Sequence, residues 1–232
     1  MHKIRVIIKI IHMNPKDNKV IIPIKIALFG ESGVGKTSIL TRYCQNVFDS
    51  DVKTTKIASF TKSVVCSSDK KTEIQLRIWD TAGQETYRSL ASFYYKDADA
   101  VFLVYDVTNK ESFDELSFWL NKVRLEAPSN CLIMILGNKC DCIGNQVIDQ
   151  NLLDEFTKKN NLTSLAVSAK ENINIKRAFE SVILKKFPQF ATDLGYEKVP
   201  AKNSVPGDPK KEQMQGTKLT KKTKNKNDSN CC

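Results

Sequence analysis

Residues 24–37 read Ile24-Lys25-Ile26-Ala27-Leu28-Phe29-Gly30-Glu31-Ser32-Gly33-Val34-Gly35-Lys36-Thr37, and the fold turns on them. The first six form a short apolar run ending at a glycine, the pattern of a buried strand. Residues 30–37 match G-x-x-x-x-G-K-[ST], and residues 37–47 carry a helical pattern. Strand, glycine-rich loop and helix, in that order, are the context that a phosphate-binding loop requires. Its glycines let successive N–H groups converge on a β-phosphate, and the helix start adds positive potential. Lys36 can span β and γ oxygens, while Thr37 can ligate Mg²⁺. Gly30, Ser32, Gly33, Val34, Gly35, Lys36, Thr37 and Ser38 are therefore candidate nucleotide-binding residues.

Outward from this loop, apolar strands alternate with amphipathic helices from Pro23 onward, which defines an α/β class. Residues 60–66 and 74–79 alternate around the polar segment 67–72, predicting a hairpin and one antiparallel strand. Further strands are expected at 100–105, 131–136 and 162–167, with helices at 112–126, 149–160 and 173–187. The expectation is a six-stranded, mostly parallel sheet flanked by five helices.

A chain of 232 residues, 41% apolar and 27% charged, has room for one medium domain with appendages and is not disordered throughout. The domain is expected at 23–190. Residues 1–22 fit a helix through Ile4, Ile7, Ile8 and Ile11, and a strand through Ile4, Val6, Ile8 and Ile10. A membrane-surface helix, a loose extension and one added strand stay open, and Met13 is an alternative start. Residues 191–232 lose nearly all large apolar residues and are expected to be disordered, because they cannot bury enough surface to offset ordering entropy.

Lys and Arg number 36 against 26 acidic residues, a net charge of +10. The excess is spread over the body (27 against 21 in residues 1–190) and the tail (9 against 5), with no aromatic-basic platform, which argues against nucleic acid as partner. Both histidines, His2 and His12, lie near the start, so no histidine base or multi-histidine zinc site is expected in the folded body. Seven cysteines, with no C-x-x-C pair, read as reduced and cytosolic; Cys140 and Cys142 are expected to be packing or loop residues. No run of 18 apolar residues occurs, and Lys9 interrupts the one segment resembling a secretory signal.

Two later motifs select the base. Asn138-Lys139-Cys140-Asp141 follows one predicted strand and Ser168-Ala169-Lys170 follows the last, so both belong to the sheet edge that carries the phosphate loop. A carboxylate at Asp141 can accept from guanine N1–H and the 2-amino group, neither of which adenine offers. Adenine would leave that carboxylate unpaired. The stem of Lys139 can cover the base, and the Ala169 N–H can reach O6.

With these motifs in order, residues 23–187 resemble a Ras-superfamily small GTPase, and within it the Rab family. Trp79-Asp80-Thr81-Ala82-Gly83-Gln84-Glu85 matches the family's second switch, and Gly30-Glu31-Ser32 and Tyr94-Tyr95-Lys96 are Rab-like. The resemblance implies a small G domain of the P-loop NTPase fold that binds GTP and GDP with Mg²⁺. It implies that Asp80 holds Mg²⁺ through water, the Gly83 N–H meets the γ-phosphate, and Gln84 orients the attacking water. Phe48 would lie edge-on to guanine, and Thr55, with Thr54 as fallback, would be the second Mg²⁺-binding threonine. Phe60, Trp79 and Tyr94 would form the aromatic triad that reports the switch state.

Three positions depart from the family pattern. Lys56 and Ile57 stand where Ile-Gly is usual, and Thr86 replaces an arginine, which affects the effector surfaces and leaves the nucleotide residues intact. Cys231-Cys232 resembles the Rab double-cysteine prenylation signal, preceded by Lys218, Lys221, Lys222, Lys224 and Lys226.

The resemblance thus implies a monomeric, membrane-anchored switch that hydrolyses GTP in vesicle trafficking. Its partners would be an exchange factor, a GTPase-activating protein, a GDP-dissociation inhibitor, a prenylation escort protein and effectors. It would sit on the cytoplasmic face of endomembranes, with a cytosolic pool. Ser89-Leu90-Ala91 and Ala58-Ser59-Phe60 resemble the early-endosome branch. The rival readings are a GTP-bound platform that hardly hydrolyses, through Lys56 and Ile57, and a nucleic-acid-binding protein.

Overall fold

A computed structural model describes residues 12–14, 19–51, 55, 59–66, 71–81 and 92–195, and the account below is of these. The chain forms two compact units, residues 1–182 and 183–232. The first runs β1 (His12–Asn14), β2 (Lys19–Phe29), α1 (Lys36–Gln45), β3 (Ser59–Cys66), β4 (Thr72–Asp80) and α2 (Ser92–Tyr95). It continues through β5 (Ala100–Asp106), α3 (Lys110–Asp114), α4 (Leu116–Glu126), β6 (Leu132–Asn138), α5 (Gln150–Asn160), β7 (Thr163–Ala166) and all but the last turn of α6 (Ile175–Lys186).

Five parallel strands, in the order β4-β2-β5-β6-β7, form the body of the sheet. β3 lies antiparallel to β4, with Phe60 opposite Trp79, and β1 lies antiparallel to β2, with Met13 opposite Val20. The described sheet therefore has seven strands, against the six expected, and two antiparallel strands against one. The extra strand is residues 12–14 folding back on 19–21, so the added-strand reading holds there; residues 1–11 lie outside the described set. β2 also starts at Lys19, before the boundary expected at Pro23. In the register Pro23 lies between the stretch paired to β1 and the stretch paired to β5, where β4 is the one neighbour, and such an edge tolerates proline.

β5 is buried at every residue, which is why its sequence is a continuous apolar run. Its alternate residues serve two layers. Val101, Leu103 and Tyr105 join a core with Leu116, Trp119, Leu120 and Val123 of α4, whereas Phe102 meets Phe179 of α6 edge-on at 5.2 Å. Phe179 in turn stacks on Tyr43 of α1 at 3.9 Å. The single helix expected at 112–126 is divided at Glu115, so the described residues hold six α-helical segments where five were expected. Asn109 starts the first piece by accepting a hydrogen bond from the Ser112 N–H, which satisfies one of the donors a helix start leaves free.

In the second unit the described residues hold the last turn of α6 and a 3₁₀ turn at Pro188–Ala191, with Phe187 and Phe190 in edge contact at 6.4 Å. Residues 196–232 lie outside the described set. Among the described residues no helix is long and apolar enough to cross a membrane.

Candidate functional site

The loop between β2 and α1 is shaped by steric limits at its two ends. A side chain on Gly30 would place Cβ 2.0 Å from the Val104 carbonyl oxygen, and one on Gly35, at φ +92°, would lie 2.3 Å from Asn138 Nδ2. Lys36 curls back across the loop, its Nζ donating to the Gly30 and Glu31 carbonyls at 2.7 and 2.8 Å. Burial pulls this ammonium down to about 8, although Asp80 and Glu31 push it the other way. A cation held at such a desolvation cost is poised for an anion.

Thr37, on the first turn of α1, donates to Asp80 Oδ2 at 2.6 Å and lies 2.7 Å from the Thr55 hydroxyl. Three residues singled out for the metal thus converge from α1, the segment after it and the end of β4. Burial pushes the Asp80 carboxyl up, against the Thr37 hydrogen bond and the Lys36 charge. Its Oδ1 is buried without a hydrogen-bond partner. An all-oxygen donor set with one carboxylate and an orphaned buried oxygen fits Mg²⁺.

Because β2, β5, β6 and β7 run parallel, the segments after them open on the same edge. Asn138 ends β6 and bridges two loops: its Nδ2 donates to the Val34 carbonyl at 2.8 Å and its Oδ1 accepts from the Ala169 N–H at 3.2 Å. That N–H, expected to face the base, is directed at Asn138 in this structure. Ser168 is fully buried and is not among the residues that line the cavity. Its hydroxyl reaches the site only by donating to Asp141 Oδ1 at 2.5 Å. Lys139, held at φ +65°, places its ammonium 2.6 Å from Asp106 Oδ2.

A cavity of about 440 Å³ joins the two ends. Of the residues singled out beforehand, Ser32, Gly33, Gly35, Lys36, Thr37, Ser38, Phe48, Thr55, Asn138, Lys139, Asp141, Ala169 and Lys170 line it, and Gly30 and Val34 are not among its lining residues. Asp49, Ser50, Thr81 and Cys142 line it as well, without having been anticipated in that role. Asp106 was also missed, although its place at the end of a buried strand on this edge was a usable signal. Trp79 and Tyr94 lie 5.5 Å apart as tilted rings. Gly83, Gln84, Thr54, Lys56, Ile57, Thr86, Cys231, Cys232 and the Phe60 ring lie outside what the structure describes.

A glycine loop between strand and helix, with a pocket at the carboxyl edge of a parallel sheet, defines a P-loop nucleotide-binding protein. Residues 25–187 match the Ras family. The chain is 41% identical over 160 residues to Ras-related protein RABA4d of Arabidopsis thaliana, covering 68% of this chain and 71% of that one. It is 38% identical over 163 residues to GTP-binding protein ypt3 of Schizosaccharomyces pombe, covering 70% and 75%. It is 37% identical over 183 residues to Ras-related protein Rab-5B of Plasmodium falciparum, covering 79% and 85%. The chain belongs to the Ras family, on its Rab branch: it is a small GTPase that binds guanine nucleotides and acts as a switch in vesicle trafficking.

Proposed function

We propose that this GTPase is a membrane-anchored switch whose G domain is residues 23–190 and whose tail, 191–232, carries lipids on Cys231 and Cys232. The carrying observation is a shared cavity lined by Lys36, Thr37 and Thr55 at one end and by Lys139, Asp141 and Ala169 at the other. The first group suits phosphates and the second a purine with donors at N1 and the 2-position. Thr37 and Thr55, with Asp80 through water, would hold Mg²⁺, which when bound would neutralise phosphate charge.

In this reading the loop N–H groups orient the triphosphate, and Lys36 stabilises charge as the γ-phosphorus leaves the β,γ-bridging oxygen for water. Gly83 contacts the γ-phosphate and Gln84 aligns that water. No arginine lines the cavity among the described residues, so intrinsic hydrolysis is slow, on the order of 10⁻³ s⁻¹ or less, and an activating protein supplies the missing donors. Thr55 and Gly83 hold the switches while the γ-phosphate is present, and hydrolysis releases them. Exchange factor, dissociation inhibitor, escort protein and effectors complete the cycle at the cytoplasmic face of endomembranes, with early endosomes as the compartment to test first.

Single-turnover conversion of bound GTP tests the reading. Slow hydrolysis that accelerates with an activating protein supports it. Loaded protein that releases no phosphate even then would favour the non-hydrolysing platform.

A further inference from the structure

Arg42, six residues beyond Lys36 on α1, makes contacts that the phosphate and base motifs do not explain. Its Nε donates to the Ala169 carbonyl at 2.8 Å and its Nη2 to the Lys170 carbonyl at 2.9 Å. Its Nη1 donates to the Asn46 carbonyl at 2.8 Å, where α1 ends. One guanidinium thus serves three main-chain carbonyls in segments 127 residues apart, a use that needs its rigid planar fork. Asn172 Nδ2, just beyond the same loop, donates to Asn46 Oδ1 at 3.2 Å.

The gripped loop bears on base choice through its first residue. Ser168 Oγ accepts from the Glu171 N–H at 2.9 Å and donates to Asp141 Oδ1 at 2.5 Å. The turn that Arg42 braces at Ala169 and Lys170 begins at Ser168, which paired main-chain hydrogen bonds with Ile173 hold on its other side and whose hydroxyl reaches the carboxylate. The helix carrying Arg42 begins at Lys36 and Thr37, so a stiff rod about 15 Å long joins the phosphate end to the base loop.

We propose that Arg42 is a positioning residue for base selection, fixing the 168–170 loop against the end of α1 so that Asp141 meets the guanine 2-amino and N1–H groups. This rests on the base-pocket reading above. A brace that merely supported the fold would affect all nucleotides alike, whereas a base-positioning residue affects the guanine-specific contacts.

The test is displacement of fluorescent GDP by unlabelled GDP and by inosine diphosphate, which lacks the 2-amino donor. The parent should prefer GDP clearly. Arg42→Gln should weaken GDP by about tenfold and inosine diphosphate much less, narrowing their ratio by about fivefold. Arg42→Lys, which keeps the charge without the fork, should narrow it part of the way. Equal weakening of both nucleotides, in either variant, would overturn the proposal. If Arg42→Gln does not fold, an unchanged ratio in Arg42→Lys overturns it. A parent with no preference for GDP would refute the base-pocket reading instead, independently of Arg42.

Discussion

Replacing Asp141 with Asn exchanges one carboxylate oxygen for an amide, and the surrounding hydrogen bonds determine which. Ser168 Oγ accepts from the Glu171 N–H, so its own proton goes to Asp141 Oδ1. In Asp141→Asn the amide oxygen keeps that place, and the NH₂ takes the position of Oδ2, which in the parent accepts a weak hydrogen bond from the Cys142 thiol at 3.8 Å. Guanine N1–H and its 2-amino group then face a donor. Two hydrogen bonds to a charged acceptor are lost at about 1.5–3 kcal/mol each, so GDP should bind about 10²–10⁴-fold more weakly. Xanthosine diphosphate, with a carbonyl at the 2-position, should gain. Competition against fluorescent GDP measures both. GDP affinity within about threefold of the parent, or no gain for the xanthine nucleotide, would refute the placement of Asp141 against the base.

Other outcomes follow from the same geometry. Burial holds Lys36 at about 8, below the 10.5 of an exposed lysine, so between these values the unfolded chain binds more protons and ligand-free stability rises with pH. Urea unfolding of nucleotide-free protein from pH 7 to 10.5 should show the parent gaining up to about 3 kcal/mol over Lys36→Met; a difference flat in pH would mean that the ammonium is not desolvated. Thr37→Asn should lose Mg²⁺-dependent GTP binding while keeping GDP, as read by nucleotide exchange with and without chelator. Gln84→Leu should bind GTP normally but lose stimulated hydrolysis, and an unchanged stimulated rate would remove its water-orienting role. Cys231→Ser combined with Cys232→Ser should abolish flotation with vesicles at physiological salt, since each lysine adds about 1 kcal/mol at an anionic surface while two lipid chains add far more. Undiminished flotation would point to residues 4–11 as the anchor.

The amino-acid sequence by itself determined the phosphate loop, the order of the α/β elements and the two base motifs. Each depends on short-range properties: the apolar run at 24–29, glycines that permit the positive φ of the loop at Gly33 and Gly35, and a lysine and a threonine at the start of a helix. Their meeting in one cavity was legible too, because parallel strands place their following loops on one edge. Only the tertiary structure decided how the site is braced. The Arg42 grip on Ala169 and Lys170, the Asn138 bridge from Val34 to Ala169 and the pairing of Lys139 with Asp106 join residues roughly 30 to 130 positions apart. No periodicity records which carbonyl a guanidinium meets. Likewise, an isoleucine pattern compatible with helix and strand left the N-terminal segment open, and the hydrogen bonds that β2 could offer to residues 12–14 settled those three as an added strand.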